Sequence, residues 1–243
     1  MIPSSSPPFE RLSARHEAYE ANLSRAALWA HPSWFECMLG VDALTLTRWR
    51  VLLAQAREST LDSCSRAFVD AAGIEPPPPD SWGLPAFVDT ANGRKLNLAL
   101  LDMVPTELGI RVLCMRALVF RRFELRRLID KRIRQRLSAF AGISLELLFA
   151  NAPYAVNPIN VKSMPPLNGV TAESLALEGL VLFRRDSHGS GAKHPPLLRL
   201  ALARSTAQDR WLSALPDTAD SDGGAWLYSQ LPNWLGTWSW LFG

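Results

Sequence analysis

The sequence predicts a mainly α, irregular multi-helix globular fold with at most a few short strands, and three observations predict it. Apolar residues recur at helical steps over long stretches. Residues that start and stop helices stand at the ends of those stretches. Composition supplies the core, since 48% of the 243 residues are hydrophobic and 20% are charged, an ordinary balance for a folded chain.

Residues 1–8, Ser- and Pro-rich, offer nothing to bury and read as a disordered tail. A first helix is expected from Phe9 to Ala27, with Leu12, Tyr19, Leu23 and Ala27 on its apolar face. Trp29-Ala30-His31-Pro32-Ser33-Trp34-Phe35-Glu36 follows, and Ser33 with Glu36 has the spacing of a capping box. Gly40 suits the left-handed stop of that short helix. The helical pattern resumes from Asp42 to Ala72, broken near Ser59-Thr60. Leu46, Trp49, Leu53 and Ala56 form its first stripe, and Leu61, Phe68 and Ala72 its second.

Pro76 to Pro79 cannot be helical, and the stretch up to Asn92-Gly93 reads as a loop or extended connector. Within a single helical domain over 9–243, the segment 74–93 is the candidate division between two lobes. Four prolines could also serve as ligand for a recognition domain.

Pro105 suits a helix start. Apolar residues then recur at Ile110, Cys114, Leu118, Leu125, Ile129, Ile133, Leu137 and Phe140, which is one face of a long helix or of two stacked helices. Gly142 is the stop, and Ser144 caps a final turn through Leu148. Residues 151–169 hold four prolines and should be irregular. Thr171 caps a helix through about Arg185 that buries Leu175, Leu177, Leu180 and Phe183 in some combination. His188-Gly189-Ser190-Gly191 marks a turn, and the alternation of Leu198, Leu200 and Leu202 reads as a strand. Helices near 206–215, 225–231 and 233–241 complete the expectation.

Cys37, Cys64 and Cys114 show no CxxC spacing and read as reduced thiols of a cytosolic protein. The N-terminus has no basic, apolar signal-peptide pattern, and no run of about 18 apolar residues suggests a membrane span. His16, His31, His188 and His194 form no HxxxH or HExxH, and no phosphate-binding glycine motif is present. A hydrolase built around His188 and His194 would need a nucleophile elbow that the sequence lacks. No cofactor or metal is expected, and no small-molecule substrate.

Charge is uneven although the net value is only +3. Arg111, Arg116, Arg121, Arg122, Arg126, Arg127, Lys131, Arg132, Arg134 and Arg136 face only Glu124 and Asp130 locally, while Asp217, Asp220 and Asp222 make a later acidic patch. The basic run reads as a solvated face, a protein-docking surface, or a nucleic-acid or lipid contact. Arginine's bidentate grip on carboxylates makes Arg121, Arg122, Arg126 and Arg127 candidate contacts for an acidic partner. Nine tryptophans are present. Trp234, Trp238 and Trp240, near the end, read equally as core and as partner-binding anchors.

In order along the chain, these features resemble the SctK family (YscK, PscK and OrgA relatives) of bacterial type III secretion systems, in its plant-pathogen and Burkholderia-like branch. Trp29-Ala30-His31-Pro32-Ser33-Trp34 is similar to the family's LHPSW-like element. The stretch from Glu107 to Val119 resembles its central Leu-rich helix. Glu178 to Phe183 resembles a later SGLAF-like helix, and Leu198 to Ala203 an LRLSLRL-like segment. The resemblance implies a non-enzymatic cytoplasmic adaptor of the sorting platform. It implies two partners, the forkhead-associated-like cytoplasmic domain of the ring protein SctD and the pod protein SctQ, with the membrane met only through them. The alternative reading is a nucleic-acid-binding regulator that uses a basic helix over 111–136.

Overall fold

The computed structural model describes residues 8–90, 93–150, 164–187, 196–204, 220 and 222–243. The described chain is mainly α-helical, as predicted, with one two-stranded hairpin. It divides into two compact units, each assembled from separated stretches. The first comprises residues 1–84, 98–109 and 192–206; the second comprises 85–97, 110–191 and 207–243.

In the first unit α1 (Pro8–Leu23) buries Arg15, Tyr19 and Leu23, and a separate turn of helix, α2 (Ala26–Trp29), follows it. The expected single helix is therefore broken, and Ser24 and Arg25 form the break. Helix α3 (Pro32–Leu39) starts two residues earlier than the capping-box reading: His31 is the cap, and Pro32 takes the first helical position. Gly40 ends it at φ 62°, a left-handed conformation that favours glycine.

Helices α4 (Ala43–Gln55) and α5 (Glu58–Ala71) meet at Ala56-Arg57, just before the predicted break. The Asp42 side chain accepts the Thr45 N–H at 2.7 Å and caps α4. Phe35 sits among them, stacked on Phe68 at 4.1 Å between ring centroids and edge-on to Trp49 at 5.6 Å.

The proline run leads into a short helix, α6 (Pro79–Gly83), where the sequence suggested only a connector. Arg15 donates to the carbonyls of Trp82 (2.7 Å) and Leu84 (2.9 Å), and Tyr19 and His16 flank the Trp82 ring. No sequence pattern had singled out Trp82. A 3-10 turn, Leu98–Asp102, is fixed by Asn22, whose amide donates to the Asp102 and Val104 carbonyls at 2.7 Å each.

In the second unit the connector reading is corrected again, because β1 (Phe87–Thr90) pairs antiparallel with β2 (Gly93–Leu96) in the register Phe87 to Leu96. Both halves are too short to show an alternation in sequence. Helix α7 (Thr106–Phe120) begins in the first unit and continues in the second. The long basic helix is in fact three pieces: α7, α8 (Arg122–Arg127) and α9 (Lys131–Ala141). The chain turns extended at Leu128 and Asp130. Ile129, expected on the buried face, is 91% exposed there. Gly142 at φ 71° stops α9, and Ser144 caps α10 (Leu145–Phe149), as predicted.

Helix α11 (Ala172–Asp186) opens on a reciprocal box: the Thr171 hydroxyl accepts the Ser174 N–H at 3.1 Å, and the Ser174 hydroxyl accepts the Thr171 N–H at 2.9 Å. Helix α12 (Gly223–Trp234) packs on α11 and β2, and a 3-10 turn, Gly236–Leu241, closes back on it. Tyr228 is fully buried between Phe183 and Phe242. The helix expected near 206–215, most of the irregular stretch 151–169 and the His188 turn lie outside the described residues.

Candidate functional site

Arginines at positions of an apolar helix face must either snorkel outward or find carboxylates inside. In α7 and just after it, they find carboxylates. Arg121 is buried, with Nε 2.8 Å from Glu178 Oε1 and Nη2 2.6 Å from Oε2, while Nη1 donates to the Pro165 carbonyl at 2.6 Å. This is the bidentate geometry that satisfies both charges at once. Glu124 adds a longer contact to Arg121 at 3.4 Å and spends its other oxygen on the Leu167 N–H at 2.8 Å.

A second set forms around Arg116, whose side chain is fully buried. Its Nε donates to Asp186 at 2.9 Å and its Nη1 to Asp220 at 2.8 Å. Asp220 then accepts Arg122 Nη1 at 2.8 Å through its other oxygen. Burial works to lower the Arg116 pKa, but the two carboxylates outweigh it and hold the guanidinium firmly charged. Burial pushes the Asp186 carboxyl above its ordinary value, against the pull of Arg116. Asp220 holds φ 58°, a conformation rare for a non-glycine residue, and it does so at the point where one carboxylate serves two arginines. The acidic patch read at 217–222 thus supplies an internal counter-charge in Asp220.

These pairs revise the picture of the basic block. Arg121 and Arg122, expected at a partner surface, are interior and ion-paired, because each has a carboxylate that is distant in sequence but adjacent in the fold. Arg134 reaches Glu146 at 2.7 Å, and Arg136 donates to the Asn168 carbonyl at 2.7 Å. Arg126 and Arg127 are exposed. The block is not the continuous basic helix that a groove-reading regulator would use.

The tryptophans also divide. Trp240 is buried, whereas Trp234 and Trp238 are half-buried. Trp234 meets Trp226 edge-on at 6.1 Å, and Trp238 lies over Trp240 at 6.4 Å. Half-exposed indoles in contact with one another leave apolar area available to a partner.

In the first unit the His-Pro-Ser-Trp element is a clasp. His31 Nδ1 accepts the Ser33 N–H at 3.2 Å and lies 2.9 Å from its hydroxyl, so a neutral ring carries its proton on Nε2. The Ser33 hydroxyl accepts the Arg204 N–H at 2.8 Å, and the His31 N–H donates to the Leu200 carbonyl at 2.7 Å. Trp34 Nε1 donates to the Leu202 carbonyl at 2.9 Å, with Arg199 and Arg204 against its ring. The element thus grips residues 200–204, the end of a 3-10 turn, Leu197–Ala201, and the residues after it, where a strand was expected. The buried Asp102 carboxylate accepts the Leu198 N–H at 2.9 Å from the same turn. Burial raises the Asp102 pKa to about 7 despite that bond.

Helix α4 presents a feature that sequence reasoning missed. Leu44, Val51 and Leu52 are all exposed, at spacings of seven and eight that place them on one outward face. The signal was present, since α4 carries apolar residues on both sides and only one side can face the core.

Among the described residues, no group of three or more His, Cys, Asp or Glu side chains could hold a metal ion. Cys114 is buried, and burial pushes its thiol up to about 12, where it is no nucleophile. Among the described residues, no helix is long and apolar enough to cross a membrane.

A family model described as a bacterial type III secretion protein (HrpB4) matches residues 6–236. No curated protein and no solved structure matches the chain.

Proposed function

The chain belongs to the HrpB4 family of bacterial type III secretion proteins, the SctK-like family of plant pathogens, and from that premise we propose that it is a non-enzymatic adaptor of the secretion machinery. The observation that carries the reading is the family match over nearly the whole chain. The partners we propose are those the resemblance implies: the cytoplasmic domain of the inner-membrane ring protein SctD and the pod protein SctQ. Its place would be the cytoplasmic face of the inner membrane.

An adaptor needs two separate docking faces, and each unit offers one. In the first unit it is the outward stripe of Leu44, Val51 and Leu52 on α4. In the second it is the half-buried pair Trp234 and Trp238. Large apolar and aromatic side chains of this kind anchor protein interfaces. Buried Arg116, Arg121, Glu178, Asp186 and Asp102 are engaged in ion pairs and backbone contacts, which supports a structural use of their charge over a catalytic one.

Co-purification of the full chain with the SctD cytoplasmic domain and with SctQ tests the reading. Binding to both, with loss of secretion on deletion of the gene, is expected. Absence of both complexes at micromolar concentration, with secretion intact, overturns it.

A further inference from the structure

We infer that the exposed turn joining α8 to α9, Arg126 to Arg132, is a contact for an anionic lipid surface, with Ile129 as its apolar tip. The helix breaks at Leu128 to Asp130, so the turn projects a single apolar side chain that is 91% exposed. Arg126 and Arg127 stand before it and Lys131 and Arg132 after it, all exposed. The one acid in the turn, Asp130, caps α9, its Oδ1 accepting the Arg132 N–H at 2.8 Å and the Ile133 N–H at 3.2 Å, and it offsets only one of the cations beside it.

Such a tip suits any anionic surface by charge alone, and its shape decides between a lipid and an acidic protein. A stable protein interface buries about 800 Å² on each side around fitted anchors. One isoleucine on a projecting turn supplies a point rather than a face. A lipid surface needs no fitted pocket: headgroup phosphates meet the arginines and lysine while the isoleucine enters the acyl boundary. Each cation near an anionic leaflet is worth about 1 kcal/mol, roughly fivefold in partitioning. Four cations with one apolar residue give a weak contact that adds to other attachments. The inference does not depend on the adaptor reading, since it uses neither the α4 stripe nor the tryptophans.

The test is flotation of the purified full chain with phosphatidylglycerol–phosphatidylcholine vesicles and with phosphatidylcholine vesicles, at low and raised salt. Binding to the anionic vesicles alone, weakened by salt, is expected. R126E/R127E should reduce it more than tenfold, and I129S should reduce it severalfold where I129L does not. All three variants lie at exposed positions, so circular dichroism should report unchanged helix content. Equal binding to both vesicle types, no binding to the anionic ones, or full binding by R126E/R127E or I129S overturns the inference. If R126E/R127E instead abolishes a complex with SctD or SctQ while vesicles are never bound, the turn belongs to a protein interface and the lipid assignment fails.

Discussion

Gly179 of α11 lies against the backbone of Leu113 in α7: a Cβ placed on Gly179 would stand 1.9 Å from the Leu113 carbonyl oxygen. The two helices can approach this closely only because residue 179 has no side chain. Gly179→Ala must push backbone away from backbone, and we expect destabilisation of about 3 kcal/mol or more. Urea unfolding of the variant beside the parent chain would show it; an unchanged midpoint would mean that the helices separate freely.

The Arg121–Glu178 pair is predicted to be costly to halve. Arg121→Ala takes the bidentate cation away from a buried carboxylate, at about 3–5 kcal/mol. Arg121→Met with Glu178→Leu removes both charges and should recover most of that loss. A double-mutant cycle by chemical denaturation reads the coupling directly. A double variant as unstable as Arg121→Ala would mean that the contact with the Pro165 carbonyl, not the ion pair, holds the site.

Asp102 makes stability depend on pH. Its folded pKa, raised to about 7 by burial, exceeds the ordinary value of 3.8. The folded state therefore binds the proton more tightly than the unfolded chain does. Stability is full below the ordinary value and declines as pH rises toward about 7. The upper bound on the decline is on the order of 4 kcal/mol. Asp102→Asn retains an oxygen for the Leu198 N–H and should flatten the dependence, which denaturation across that pH interval would register.

The clasp on residues 200–204 should loosen in steps. Trp34→Phe removes the donor to the Leu202 carbonyl, which Arg199 Nη1 also bonds at 2.9 Å, so the loss should be only about 1 kcal/mol. Trp34→Ala removes the ring as well and should cost about 3–5 kcal/mol. Trypsin cleavage at Arg199 and Arg204 should accelerate in the same order.

The helical class, the stops at Gly40 and Gly142, and the caps at Ser144 and Thr171 are local events, and local spacing reveals them. Other features depend on residues far away. Nothing near Arg121 indicates burial, because Glu178 is 57 positions off. The period through Ile129 continues across a break that no Gly or Pro marks, although Asp130 before Lys131 was a readable restart. Leu198, Leu200 and Leu202 alternate in sequence, yet Leu197 is buried beside them, so the period of two carried no information. The C-terminal tryptophans were conspicuous in the sequence, while their division into buried Trp240 and half-buried Trp234 and Trp238 depends on how the last turn folds back on α12.

The bond from Asp102 to the Leu198 N–H joins residues 96 positions apart, and the clasp at Trp34 spans 168. Synthesis runs from the N-terminus, so the helices up to Gly83 leave the ribosome well before the segment that completes their unit. At about 5–20 residues per second, that interval is on the order of ten seconds. Throughout it, the surfaces meant for Leu197 to Arg204 face solvent without their cover. The nascent chain is thus obliged to wait, and whatever shields those surfaces during the wait governs how much protein reaches its finished form.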